Sequence, residues 1–154
     1  MKDVTVEIGD IIFNYRVGLM ATCGEEILVE VNPDIDFVTL PGGRVKTMEA
    51  SKEGLKREIY EELHYNIKDK ECNIRGIVEN FFELDGKKYH ELFFLYQMEV
   101  DKNHRLYKGD LINKDSIKSY FKWVKKTDLA KENLLPKVVR SWVAKEGFDI
   151  TVLR

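Results

Sequence analysis

Glu58, Glu61 and Glu62 occupy positions i, i+3 and i+4 of the run Arg57-Glu58-Ile59-Tyr60-Glu61-Glu62. If the run is helical, all three carboxylates leave from one face. Like charges at these offsets cost about 0.2–0.5 kcal/mol per pair unless a cation compensates. A hard divalent ion does so, because Mg²⁺ and Mn²⁺ take carboxylate, carbonyl and water oxygens and keep positions for substrate phosphates. The chemistry to expect is a metal held against a diphosphate. A solvated acidic helix face would show the same three residues, with Glu53 and Arg57 paired in the ordinary way.

The preceding loop favours the first reading. Leu40-Pro41-Gly42-Gly43 predicts a sharp turn just before the helix, where backbone can approach a ligand without interference from a side chain. The periodicity predicts a helix over 49–63 whose inward face uses Ala50, Leu55, Ile59 and Leu63, leaving the three acids toward a cleft.

With its glycine, acids and arginine at these intervals, the segment GRVKTMEASKEGLKREIYEELHY at 43–65 resembles the box of the Nudix hydrolases, G-x5-E-x7-R-E-U-x-E-E-x-G-U, where U is aliphatic. Gly43, Glu49, Arg57, Glu58, Ile59, Glu61 and Glu62 match. His64 stands where the family has Gly, and Tyr65 where it has an aliphatic residue. Neither departure removes an acid. The Gly normally lets the chain leave the helix in a left-handed conformation. His64 is expected to serve that exit, since His tolerates it better than most side chains, unless the helix runs on and Asn66 provides the exit. His64 is read as structural, near the last helical carbonyls.

The resemblance implies metal-dependent hydrolysis of a nucleoside diphosphate linked to another group X, giving a nucleoside monophosphate and phosphorylated X. It implies Mg²⁺, with Mn²⁺ able to substitute, held by Glu58, Glu61, Glu62 and the Gly43 carbonyl. Arg57 would orient a neighbouring carboxylate. Glu58 is the first choice for general base. Outside the box, Glu91 ranks ahead of Asp110 and Asp115, which lie in the loop before Trp123 where some relatives place an extra acid; a charged residue in such places is otherwise simply solvated. Arg44 and Phe82 are candidate substrate contacts. A non-catalytic nucleotide-sensing domain on the same fold is the alternative, although such a sensor would be expected to lose a ligand Glu or the Arg.

Substrate identity is thinly marked. Relatives that prefer ADP-ribose often carry a Pro shortly after the box, and this chain has none between Pro41 and Pro136. Phe81 and Phe82 lie in that region; they could stack on a base, or belong to the core as hairpin aromatics usually do. Tyr15 and Tyr96 carry the same two readings. The segment 102–126 is locally basic, with Lys102, Arg105, Lys108, Lys114, Lys118, Lys122, Lys125 and Lys126 against Asp110 and Asp115. It could grip phosphates as a flap or be a solvated loop.

The rest of the chain has to position these groups. Strand-like runs fall at 4–8, 11–20, 27–31 and 37–40, then at 74–84 and 89–100 around Asp85-Gly86, a dipeptide favoured in tight hairpins. A short strand follows at 121–124. Pro136 then opens a helix through about Lys145, packed down by Val138, Val139 and Trp142. This order predicts an α/β fold of the α+β type, with a mixed β-sheet between helices. That also resembles the Nudix α/β/α sandwich.

With 154 residues, 44% of them hydrophobic, and no linker or repeat, one domain over 1–154 is expected. The N-terminus lacks the apolar run of a signal peptide or membrane span, so a cytoplasmic protein is expected. Cys23 and Cys72 read as small apolar residues. A formal charge of -2 argues against a platform for duplex nucleic acid and leaves a small nucleotide as the expected partner. A homodimer through the exposed edge of the first hairpin stays open.

Overall fold

The computed structural model describes residues 1–154. Nine strands form one mixed sheet. Its backbone is β2 (Ile11–Cys23), which runs parallel to β7 (Lys87–Glu99) from Ile11↔Lys88 to Thr22↔Glu99. The other edge of β2 is shared end to end by β1 (Thr5–Ile8), β5 (Gly42–Arg44) and β3 (Glu26–Val31), all antiparallel. β3 in turn pairs with β4 (Val38–Thr39) and β8 (Tyr120–Lys125).

β6 (Asn73–Leu84) and β7 form the long hairpin predicted around Asp85-Gly86. Both turn residues have positive φ, 51° and 73°, as the type I′ turn that suits strand twist requires. Two strands went unforeseen. β9 (Asp149–Leu153) adds to β6 in parallel, and β5 occupies what read as a simple turn. β9 is nowhere buried, so its residues lack the apolar alternation that marks a half-covered strand.

The alternation along β2 builds two cores. Val17, Leu19 and Ala21 face one side with Leu28, Tyr96 and Met98, while Met20 faces the other with Ile27, Val29, Phe93 and Leu95. Helix α1 (Ser51–Leu63) covers the first side through Leu55, Ile59 and Leu63. It starts later than expected. Glu49 lies outside it, and Ala50 is an exposed N-cap rather than an inward residue. Its mixed composition and bare N-cap mean that packing, more than propensity, holds the helix.

The second side is covered by α3 (Val139–Trp142), one turn where a helix to Lys145 was expected. Val139 and Trp142 are its buried anchors, as read from the sequence, whereas Pro136 lies before the helix instead of in its first turn. A further short helix, α2 (Arg105–Lys108), falls within the basic segment. The result is an α/β fold with helices on both sides of a mixed sheet. Cys23 and Cys72 are free and buried in the first core, as small apolar residues.

Candidate active site

α1 and β5 approach closely enough to define a cleft. An added Cβ at Gly43 would stand 2.4 Å from the Glu58 carboxyl carbon, so any side chain there would displace the acid. The cleft, about 400 Å³, is lined by Asp3, Arg16, Gly43, Arg44, Lys46, Arg57, Glu58, Glu61 and Asp115, none of them apolar. β5 hydrogen-bonds to β2 through Gly43↔Val17 and Arg16↔Arg44, and this register fixes the wall opposite the helix.

Arg57 organises the acids. Its Nε and Nη2 donate to both oxygens of Glu49 at 2.8 and 3.0 Å, its Nη1 donates to Glu58 at 2.7 Å and Glu61 at 3.1 Å, and Nη2 also donates to the Arg44 carbonyl at 2.9 Å. These charge-assisted bonds orient the carboxylates and tie the helix to β5. Glu53, the ordinary surface partner, pairs with Lys56 instead. Arg57 holds the Glu49 carboxyl below the usual range, against the opposing effect of burial. Burial pushes Glu58 up in spite of the same guanidinium.

Glu62 faces differently. It is 6% exposed, accepts a hydrogen bond from the Gly42 N–H at 3.1 Å and has no cationic side chain paired with it. Burial, with the Glu30 and Glu58 carboxylates nearby, pushes its pKa up to about 9. The spacing does put the three acids on one side of α1, but they do not meet at one point: no three acidic, His or Cys side chains form a metal-holding group. Glu58 and Glu61 turn to Arg57, and Glu62 turns to Gly42, because carboxylates repel one another and seek the nearest donors.

The donor set nonetheless suits a hard divalent ion. Glu58 and Glu61 present oxygens to a wholly polar cleft beside Gly43, and Glu62 is a buried acid whose ionised form a nearby divalent charge would favour.

His64 is the helix exit, with φ 50° and ψ 37°, so the alternative at Asn66 falls away. Its N–H donates to the Tyr60 carbonyl and its ring stacks on Tyr60, while Arg105 takes the His64 carbonyl. From the basic segment, Asp115 alone lines the cleft. Lys108, Lys114 and Lys122 bond to Asn103, Asp110 and Glu132, and none of the segment's cations lines the cleft. Asp110 is occupied by Lys114 away from the cleft.

Arg44 lines the cleft and pairs with Asp3 at 3.8 Å. Glu91 is the fifth residue of β7 rather than its start, 3% exposed, with Arg16 at 3.6 Å and the Asn80 amide at 3.4 Å. It lies in a neighbouring cavity of about 350 Å³ together with Phe81 and Phe82. Phe82 stacks on Tyr89 at 4.9 Å and stays 36% exposed, so neither Phe belongs to a core. Tyr15 and Tyr96 do pack with the first core. Sequence reasoning missed Arg16, Lys46, Asp3 and Glu30. Lone charges at alternate strand positions read as solvated, and nothing in the sequence shows that β5 would close over them.

The NUDIX domain family matches residues 17–145, which include every element of the cleft except Asp3 and Arg16. The chain belongs to the NUDIX family. Its fold is similar to the mutator MutT protein from Bacillus halodurans, at 18% identity and a TM-score of 0.69 over 91% of this chain and 89% of that one. It is also similar to the MutT protein from Methanosarcina mazei Go1, at 24% identity and a TM-score of 0.60 over 86% and 91% of the two chains. A C. elegans Ap4A hydrolase, in a binary complex, gives 20% identity and a TM-score of 0.55 over 85% and 93%. A curated relative is the cilia- and flagella-associated protein 61 of Tetrahymena thermophila, 25% identical over 126 residues. That match covers 80% of this chain but 7% of the relative's length. No helix is long and apolar enough to cross a membrane.

Proposed function

We propose that the protein hydrolyses nucleoside diphosphates linked to a further group, releasing a nucleoside monophosphate and the phosphorylated group, with Mg²⁺ or Mn²⁺ as cofactor. The observation that supports this reading best is the wholly polar cleft in which Glu58 and Glu61 face Gly43 with Glu62 buried beside it. A divalent cation bound there would neutralise phosphate oxygens and acidify the attacking water.

Glu58, Glu61 and Glu62 would hold the cation, with the Gly43 carbonyl and Asp115 as further oxygens at the rim. Glu58 is the proposed base: it is the acid closest to Gly43, and burial raises its proton affinity. Arg57 keeps Glu49, Glu58 and Glu61 aimed by hydrogen bonds and takes no proton itself. Arg44 and Lys46, on the opposite wall, supply positive charge for the phosphates. A cytoplasmic setting belongs to the same reading, since that is where such nucleotides are made and used.

Incubating the protein with nucleoside triphosphates, nucleotide sugars, ADP-ribose and dinucleoside polyphosphates, with and without Mg²⁺, tests the reading. Metal-dependent release of a nucleoside monophosphate is expected from at least one compound, and Glu62→Gln should lower it by orders of magnitude. Binding across the panel without turnover would overturn it in favour of a nucleotide sensor.

A further inference from the structure

The polar cleft and the apolar cavity share one lining residue, Arg16. The apolar cavity, about 350 Å³, lies within the range of small-ligand sites, roughly 300–1,000 Å³. Phe37, Leu40, Phe82 and Phe93 supply its apolar wall, and Asn80 and Glu91 supply polar groups.

Arg16 is held from two directions. Glu91, 3% exposed and hydrogen-bonded by the Asn80 amide at 3.4 Å, stands 3.6 Å from its Nη1. The Phe93 ring lies 5.5 Å under the guanidinium. Phe93 can take that place because Gly18 has no side chain: a Cβ there would stand 2.7 Å from the Phe93 ring. The Arg16 side chain remains 33% exposed, so a fork of donors anchored on its inner side keeps donors for a ligand.

We propose that Arg16 is the substrate contact that joins the two cavities, holding the phosphate nearest the organic group while that group, a planar aromatic base, lies against Phe82, whose ring is partly exposed on the sheet face that also carries Glu91 and Phe93. The placement of the remaining phosphates in the cleft rests on the hydrolase reading above. Glu91 is then a positioning residue that acts through Arg16. A buried carboxylate already shared between a guanidinium and an amide is suited to orient its neighbour, and less suited to take a proton from water. The substrates are accordingly nucleotides whose base fills the apolar cavity, and a diphosphate bearing an aliphatic or sugar group alone is a poor substitute.

Calorimetric titration of AMP, GMP, CMP and UMP into chelator-treated protein reads this without turnover. Arg16→Ala and Phe82→Ala should each weaken the tightest-binding nucleotide by about tenfold or more. Ribose 5-phosphate, which lacks the base, should bind wild type and Phe82→Ala alike. Nucleotide binding unchanged in Arg16→Ala overturns the proposal.

Glu91→Gln should weaken binding too, and the double variant Arg16→Ala/Glu91→Gln should bind no worse than Arg16→Ala, since Glu91 acts through the guanidinium. Glu91→Gln with normal nucleotide affinity but no turnover makes Glu91 the base and overturns its positioning role. Thermal melting confirms that each variant folds. Should Arg16→Ala not fold, Arg16→Lys keeps the charge but loses the fork, and affinity equal to wild type overturns the proposal in the same way. Wild type that binds nucleotides through Arg16 yet hydrolyses nothing removes the hydrolase reading alone.

Discussion

Two arginines show how differently one fold can use the same side chain. Arg57 on α1 donates to three carboxylates and a carbonyl at the rim of the cleft. Arg75 is on β6, where the register with β7 shifts, and is 2% exposed. Its Nε and Nη1 have no partner, Nη2 reaches the Trp142 carbonyl at 3.5 Å, and the guanidinium lies 4.9 Å over the Trp142 ring. The first region concentrates charge and satisfies it; the second buries charge under an aromatic lid. Dense satisfied charge can hold reacting groups in place, whereas a buried cation with unmade hydrogen bonds is a cost that packing has to offset.

The largest expected effect separates the two regions by activity. Arg57→Ala should lower turnover or metal affinity by about 10 to 100-fold, as losing the partner that orients metal-binding carboxylates does elsewhere. Arg75→Met should leave turnover within about twofold, measured on the same substrate. A large loss at Arg75 would mean that the region around Trp142 takes part in catalysis.

Stability should order them the other way. Arg75→Met fills similar volume and removes the unmade bonds, so urea unfolding should show no loss, or a gain of about 1 kcal/mol. A loss above about 2 kcal/mol would show that the contact with the Trp142 ring outweighs the desolvation of the guanidinium.

The smallest effect is confined to acid. Glu49 has its folded-state pKa lowered, first by the Arg57 side chain, so the unfolded chain binds its proton more tightly. Its contribution is therefore fully present above the ordinary Glu range and is lost as pH falls through the folded value. Unfolding midpoints of wild type and Glu49→Gln should converge as pH is lowered below about 4.5, the ordinary value for the free side chain. A gap that stays constant on acidification would mean that Glu49 is not ionised in the fold.

Local pattern accounts for a good part of what is seen. The hairpin at Asp85-Gly86 was legible because two residues with positive φ leave a distinctive dipeptide. The acids of α1 were legible because helical spacing alone decides which side they leave from. The left-handed exit at His64 could be reached from the family pattern, in which a Gly normally stands. The length of α3 could not, because four residues ending in a buried Trp are held by the second core and the close approach of Trp142 to Gly76 across space rather than by their own periodicity.

The sequence by itself determined that a glycine, an arginine and four glutamates would gather around one helix, because those intervals are covalent and the helical repeat is general. Only the tertiary structure decided which acids the arginine ties together, that Glu62 is buried against Gly42, and that Arg16 stands between a polar cleft and an aromatic cavity. Those facts depend on β5 pairing with β2 and β7 lying parallel to it, contacts between segments far apart in the chain that no local spacing encodes.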